Sequence, residues 1–187
     1  MITRALSRTI GWAVCVCLLG SLTLPRMAEA KTAKEIDAGA DAALAQLTKQ
    51  VKGASRLLQI AKGVLVFPGV IKAGIGVGGE FGEGTLRIGG KSVAFYQIAS
   101  ASIGFQLGAQ KRDIIIVFLD ETALKSFRSS EGWQVGVNGS VVLINVGAEA
   151  SVDTTKIKDP IVGFVVGQEG LMYNLTLEGS KISKIAK

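Results

Sequence analysis

The stretch that decides the fold is AKGVLVFPGVIKAGIGVGGEFGEG, residues 61–84. It opens with the short apolar run GVLVFP (63–68), which predicts a buried β-strand that stops at Pro68. Beyond the proline, glycines recur at positions that share one side of an extended chain: Gly74, Gly76, Gly78, Gly82 and Gly84. A strand with one side free of side chains permits sharp bending, or the close approach of another backbone, a helix or an acyl chain.

The chain downstream keeps the period of two that is typical of strands. Residues 98–110 alternate in the manner of a half-buried strand. The continuous apolar runs DIIIVFL (113–119) and IVGFVV (161–166) predict fully buried strands. Four dipeptides stand where hairpin turns are expected: Gly89-Gly90, Asn138-Gly139, Glu169-Gly170 and Glu178-Gly179. Asn138-Gly139 is the strongest of these signals, because both residues tolerate the positive φ of a type I′ turn.

Helices are predicted upstream of the strands and at one internal position. Apolar residues recur at three- and four-residue steps over 33–51, which predicts an amphipathic helix, and 54–62 predicts a second, short one. A third helix is predicted over about 121–129, with Asp120 as its N-cap and Gly132 just past its end. The expected fold class is α+β, mainly antiparallel β in a barrel-like or sandwich arrangement, with N-terminal amphipathic helices and one inserted helix.

The first thirty residues have the three parts of a secretory signal. Arg4 and Arg8 supply a basic start, residues 9–24 are uncharged and mostly apolar, and Ala28-Glu29-Ala30 is a small-x-small cleavage site. We expect cleavage after Ala30, and an uncleaved inner-membrane anchor is the alternative. The protein is therefore expected to be exported to the periplasm or the envelope, or secreted.

The rest of the chain predicts a single domain. Residues 1–30 are expected to be the signal peptide and 31–187 one domain, with a helical front (31–62) and a mostly β remainder (63–187). This domain retains 18 of the 21 basic and 14 of the 15 acidic residues, a net charge of 18 − 14 = +4. So mild an excess fits weak attraction to anionic surfaces and does not by itself argue for nucleic acid.

The composition argues against the common kinds of active site. The chain has no histidine, which rules out Ser-His-Asp and Cys-His catalytic units and every His-ligated zinc or haem site. Both cysteines, Cys15 and Cys17, lie in the predicted signal segment. The domain that remains has no thiol for a disulfide or a metal. We therefore expect no enzyme, no cofactor and no metal.

Two motifs in the glycine-rich stretch suggest chemistry that their context does not support. Residues 74–79 match the dinucleotide-binding pattern G-x-G-x-x-G, but no helix is predicted to follow. No acidic residue occurs between Glu83 and Asp113 to hold a ribose. Glu80 and Glu83 differ in parity, so on a strand they would face opposite ways and would not form a catalytic carboxylate pair.

Four blocks, in their order, resemble the SYLF domain family, also called the actin-patch or lipid-binding SYLF domain. The blocks are AKGVLVFPGVIKAGIGVGGEFGEG (61–84), IASASIGFQLGAQ (98–110), FRSSEGWQVGVNGS (127–140) and PIVGFVVGQEGLMYNLTLEGSKISK (160–184). The front helices resemble the N-terminal part of the family as well, so the resemblance covers nearly all of 33–187.

The resemblance implies lipid binding rather than catalysis. Eukaryotic relatives bind phosphoinositide membranes through basic residues and an N-terminal amphipathic helix, and a fungal relative binds and bundles actin filaments. Bacterial relatives carry a signal peptide, as this chain is expected to. An exported bacterial protein does not meet actin, so the partner implied here is a membrane of anionic phospholipid. No individual binding residue is carried over from the family.

Basic residues crowd the junction between the front helices and the first strands, and no acidic residue occurs from Val51 to Gly79. The candidate lipid-binding residues are Lys49, Lys52, Arg56, Lys62 and Lys72. Each basic side chain near an anionic membrane contributes about 1 kcal/mol. The candidate membrane-insertion face is Leu44, Leu47 and Val51. The alternative is that this helix face packs on the β structure and the lysines form its solvated rim.

Two other functions compete with lipid binding. An envelope protein-interaction or structural module would dock an unidentified protein partner and bind no lipid. An eight-stranded outer-membrane barrel would fit in 157 residues, but the helical front and the few Trp and Tyr residues disfavour it.

Overall fold

Two very long strands dominate the structure, a computed structural model that describes residues 30–146, 151–153, 157–170 and 177–187. The elements in these ranges are α1 (Ala33–Gln50), α2 (Ala54–Ile60), β1 (Gly63–Ile88), β2 (Lys91–Phe118), α3 (Glu121–Ser129), β3 (Trp133–Gln134), β4 (Val142–Asn145), β5 (Ile161–Gly170) and β6 (Lys181–Ile185). All three predicted helices are confirmed. The predicted signal peptide, apart from Ala30, lies outside the described residues.

The strands form one curled, half-barrel sheet, which confirms the predicted α+β fold class. Its order is β3-β6-β2-β5-β4, and β1 pairs with β2 outside this path. Every pairing is antiparallel except that of β4 with β5. The N-terminal half of β2 pairs with β6 and its C-terminal half with β5, so this single strand connects the two ends of the sheet.

The first strand does not stop at Pro68, contrary to the prediction. β1 continues to Ile88, because a β-bulge absorbs the proline. The register moves from Phe67 opposite Ile114 to Val70 opposite Arg112, so Pro68 and Gly69 add one extra residue to β1. Gly69 adopts a φ of 63°, and its N–H donates to Asp113 Oδ1 at 2.7 Å. A bulge accommodates a residue that has no N–H to give to the ladder.

The predicted glycine-lined side of β1 is the place where the strand packs onto itself. A Cβ built on Gly84 would lie 2.2 Å from the carbonyl oxygen of Val66, and one on Gly82 would lie 2.7 Å from Cγ2 of Val70. At Gly74, a Cβ would lie 2.4 Å from the Cα of Gly78. No larger side chain fits at these contacts, so the glycines allow the tight curl.

Two apolar clusters cover the two faces of the first part of the hairpin. Leu65 and Phe67 belong to the inner cluster, which also contains Phe127 of α3 and Trp133. Val64 and Val66, which alternate with them along the strand, belong to the outer cluster, which lies beneath α1 and α2. The ring of Phe127 lies 4.9 Å from Tyr96, 5.0 Å from Phe118 and 5.6 Å from Trp133, measured between centroids. Both faces of this part of the sheet are therefore packed.

The turn predictions succeed at two of four places. Gly89 and Gly90 both take positive φ and join β1 to β2, and Glu178-Gly179 is also a turn, with a φ of 79° at Gly179. The type I′ hairpin at Asn138-Gly139 is wrong, because β3 pairs with β6 while β4 pairs in parallel with β5. The turn predicted at Glu169-Gly170 is wrong too, because both residues belong to β5.

Side-chain caps fix the starts of two helices. Thr32 and Glu35 form a capping box at the start of α1, and hydrogen bonds from the backbone and side chain of Thr32 lower the pKa of Glu35. Asp120 caps α3, as predicted, by accepting from the N–H of Ala123 at 2.9 Å.

Residues 31–187 form one compact unit, which holds both apolar clusters and every element named above. None of the helices in the described ranges is both long enough and apolar enough to cross a membrane.

Candidate functional site

Four of the five predicted basic residues lie exposed around the second helix. Lys49 is in the last turn of α1, Lys52 follows that helix, Arg56 is on α2, and Lys62 lies just before β1. Within the described ranges, none of these four cations forms an ion pair. We call these four residues the front surface.

The predicted insertion face does not lie on this surface. Leu47 and Val51 are buried in the outer cluster, and Leu44 is partly buried against it. These residues are the apolar stripe of α1, and the sheet covers the stripe because the strands present Val64 and Val66 to it. The expectation that Leu44, Leu47 and Val51 insert into a membrane is therefore corrected: in this fold they hold α1 on the sheet.

Lys72 is also separated from the front surface, and its inclusion in the candidate site is corrected. Its exposure is only 5%, and it lies opposite Gln110 in the β1–β2 ladder. Glu80 and Arg112 are buried as well and form an ion pair inside the curl. In the described part of the chain the side-chain amide of Gln110 has no hydrogen-bond partner. The bulge at Pro68 reverses the faces of β1 and so turns Lys72 inward.

The two glutamates of the glycine-rich stretch face opposite ways, as predicted. Glu80 is buried with Arg112 on the inner side, whereas Glu83 is partly buried and pairs with Lys187. Glu83 accepts from Nζ of Lys187 at 2.8 Å and from the backbone nitrogen of Lys31 at 3.0 Å. It therefore ties the two ends of residues 31–187 to β1. Residues 74–79, the dinucleotide-like motif, lie within β1 and continue as strand rather than helix.

A second basic surface, which the sequence reasoning missed, lies between α3 and the sheet. A groove of about 740 Å³ is lined by Lys125 and Arg128 of α3, by Lys184 of β6 and by Tyr96 of β2. Burial raises the pKa of Tyr96, and the nearby charge of Arg128 opposes that rise. Lys125 and Arg128 share α3, whereas Lys184 comes from β6, so only the fold brings the three cations together. We call them the groove cations.

Exposed apolar residues were also missed. Ile60 on α2 is 48% exposed and lies one helical turn after Arg56, so the front surface has one apolar side chain of its own. Ile71, Val77 and Phe81 of β1 are more than half exposed. Their alternation is visible in the sequence, but it does not tell which side of the strand is covered. No group of potential metal ligands occurs among the residues that the structure describes.

These features define a small β domain that offers charged and apolar surfaces for binding. Residues 99–186 match the family model described as "Ysc84: Las17-binding protein actin regulator", so this part of the chain belongs to the SYLF family. The match extends from the middle of β2 to the end of β6, and the helical front and β1 precede it. The family is one of binding domains, known as actin-regulator and lipid-binding types. A search of the curated proteins finds no match.

Proposed function

We propose that this domain is a non-catalytic module that binds anionic phospholipid membranes in the bacterial envelope. The observation that carries the proposal is the front surface, where four exposed cations lie within fourteen residues of chain and have no acidic partner in the described ranges. At about 1 kcal/mol for each cation near an anionic membrane, four cations would supply about 4 kcal/mol at low salt. The secretory signal expected in residues 1–30 would deliver the domain to the envelope.

The sequence and the fold both support an electrostatic mode of binding. No acidic residue occurs between Asp41 and Glu80, so the segment that carries the front surface contains no carboxylate. The fold brings one acidic residue near it, Asp153, which follows Val152, whose N–H donates to the Lys52 carbonyl at 2.9 Å. Ile60 adds an exposed apolar side chain between Arg56 of α2 and Lys62. Because charges in water are screened over about 8–10 Å at physiological ionic strength, such binding weakens steeply with salt.

The proposal is tested by flotation of residues 31–187 with vesicles of phosphatidylglycerol and of phosphatidylcholine, at low and high salt. We expect binding to phosphatidylglycerol that falls with salt, and little binding to phosphatidylcholine. The variant Lys49→Glu, Lys52→Glu, Arg56→Glu is expected to lose this binding. All three side chains are exposed, so we expect the variant to fold. Circular dichroism checks this.

The groove cations provide a matched control. Changing Lys125, Arg128 and Lys184 to Glu alters the net charge by the same −6 on a different surface, and we expect this variant to keep most of the binding. Equal loss in both variants would mean that net charge, and not the front surface, governs binding. Absence of binding by the unmodified domain would contradict the proposal.

Protein interaction is the second candidate function, because the family description names a Las17-binding actin regulator. In an envelope protein the corresponding activity would be the docking of another protein, with no vesicle binding. A defined complex that forms in the absence of lipid, together with a negative flotation result, would favour this alternative.

A further inference from the structure

The bulge at Pro68 and Gly69 exchanges the two faces of β1. Before the bulge, the odd-numbered residues Leu65 and Phe67 face the inner cluster. After it, the even-numbered Val70 belongs to that same cluster. A shift of one residue reverses the side to which every following residue points. Ile71, Ala73, Val77 and Phe81, which are odd-numbered, therefore face outward, and all four are apolar.

This outward side carries an exposed apolar surface on both strands of the hairpin. Ile71 is 56% exposed, Val77 66% and Phe81 53%. The positions around them on the same face are also exposed and small: Ala73, Gly79, Ala101 and Ala109. We call Ile71, Val77 and Phe81 the hairpin face. Exposed apolar side chains that are grouped on one surface mark sites of protein or membrane interaction.

The first helix does not extend over this surface. The start of α1 lies at the bulge, where a Cβ on Gly39 would come 2.9 Å from Pro68 and where Nζ of Lys31 donates to the Pro68 carbonyl at 2.9 Å. The apolar stripe of α1 covers Val64 and Val66, which precede the bulge. Between Ile71 and Phe81, the described residues on this same side of β1 are exposed to solvent.

Lysines border one end of the hairpin face. Lys111 lies opposite Ile71 in the ladder and is exposed. A Cβ on Gly69 would be 3.1 Å from Cε of Lys111 and 3.6 Å from Nζ of Lys31, so the two amines are neighbours. Nζ of Lys187 is bound to the carbonyl of Lys31 at 2.7 Å. We call these three lysines the lysine rim.

Two carboxylates lie among these lysines, and both already accept hydrogen bonds. Glu83 accepts from Lys187 and from the backbone of Lys31, and Asp113 accepts from the N–H of Gly69. Three lysines and two carboxylates leave one positive charge at the end of an uncharged apolar surface. The sequence adds no acid between Glu83 and Asp113. A partner with an anionic surface and an apolar interior matches this combination of charge and apolar area.

The geometry points to the hairpin face as the part of the domain that enters the interfacial layer of an anionic bilayer, with the lysine rim at the headgroups. This inference rests on the proposed function and replaces the insertion role expected of Leu47 and Val51. A second copy of the chain is the less favourable occupant, because the described residues of its hairpin face include no acidic side chain that could pair with the lysine rim. The front surface contributes attraction at a distance, whereas the hairpin face contributes apolar burial on contact.

The test uses single labels, which the chain permits because both of its cysteines lie outside residues 31–187. An environment-sensitive fluorophore is attached to Val77→Cys and, as the matched control, to Val137→Cys, a valine that is 72% exposed on a turn. With phosphatidylglycerol vesicles, the label at position 77 is expected to shift its emission to the blue and to be quenched by brominated acyl chains. The label at position 137 is expected to do neither.

A second pair of variants measures the contribution of the face to affinity. Val77→Asp is expected to weaken binding to phosphatidylglycerol vesicles about tenfold or more, the effect of withholding one apolar side chain from burial. Val137→Asp is expected to bind as the unmodified domain does. Both sites are exposed, so neither change is expected to unfold the domain.

The outcomes separate this inference from the proposed function. If the unmodified domain binds vesicles but the label at position 77 does not respond and Val77→Asp binds normally, the hairpin face is not the insertion surface and the proposed function stands. If the unmodified domain binds no vesicle, both fail. If the label at position 77 responds to protein concentration without vesicles, and sedimentation shows a dimer that Val77→Asp abolishes, the occupant is a second copy and the inference is overturned.

Discussion

The two parts of β1 on either side of Pro68 both carry valine and phenylalanine side chains, but their surroundings differ. Residues 63–67 are packed on both faces, by α1 and α2 on one side and by the inner cluster on the other. Residues 70–81 are covered only on the inner side, where Lys72 and Glu80 replace apolar residues. The comparison shows that one bulge determines which apolar residues stabilise the domain and which remain available for a partner.

The largest expected effect concerns the polar interior of the second part. Changing Glu80 to Ala removes one partner of the buried ion pair with Arg112, and we expect a loss of about 3–5 kcal/mol in the free energy of unfolding. Urea denaturation measures this loss. The double variant Glu80→Leu, Arg112→Met is expected to recover most of it. A single variant as stable as the unmodified domain would contradict the burial of the pair.

A slightly smaller effect is expected where β1 packs onto itself, at the contact between Gly84 and Val66. Gly84→Ala would place a Cβ 2.2 Å from the Val66 carbonyl, so the curl must open, at a cost of about 3 kcal/mol. Gly79→Ala is the control, since its Cβ would meet only the Ser100 carbonyl at 3.8 Å. Thermal or urea unfolding that found the two variants equally stable would show that the strand does not pack onto itself.

Paired valine truncations compare the two parts of the strand directly. Val66→Ala, in the fully buried part, is expected to cost about 2 kcal/mol of unfolding free energy. Val77→Ala, on the hairpin face, is expected to change it by less than about 0.5 kcal/mol. Urea titrations of the two variants under one set of conditions check the difference. Similar losses at both positions would mean that the second part is covered too.

The smallest expected effect concerns the start of α1. This helix covers the first part of β1, and its start lies near the bulge. Thr32→Ala removes the N-cap and is expected to cost about 1 kcal/mol at neutral pH. Because the pKa of Glu35 is lowered in the folded state, its contribution is present above the ordinary pKa of a glutamate and is lost as the pH falls through the folded-state value. Unfolding measured from pH 7 to pH 3 should therefore show the difference between the variant and the unmodified domain decreasing toward acid.

Much of the fold follows from local patterns in the sequence. The helices follow from apolar periodicity and caps, the strand segments from alternation or buried runs, and the joining turn from Gly89-Gly90. The course of β1 through Pro68 does not follow, because the bulge depends on Asp113, which lies 44 residues away. The Asn138 turn fails for a similar reason: its side chain accepts from the N–H of Gln134, and strand pairing to β6 and β5 overrides the local hairpin signal.

The candidate site was predicted less well than the fold. The four exposed cations of the front surface were identifiable, because a run of sequence without acids predicts a basic surface. The insertion face was not, because an apolar stripe on a helix has the same pattern whether it meets a sheet or a membrane. The sequence places Lys72 with the exposed cations, but its side chain is buried, since the bulge reverses the parity on which such an assignment depends.

The most direct test of the account is the salt dependence of binding to phosphatidylglycerol vesicles, measured for the unmodified domain, the front-surface triple variant and Val77→Asp. We expect the triple variant to flatten the dependence on salt, because it removes positive charges from the front surface. We expect Val77→Asp still to lower affinity at the highest salt concentration that allows binding, where the added charge is screened, because it also removes apolar contact. If both variants bind the vesicles with the same affinity as the unmodified domain at every salt concentration, the account is contradicted.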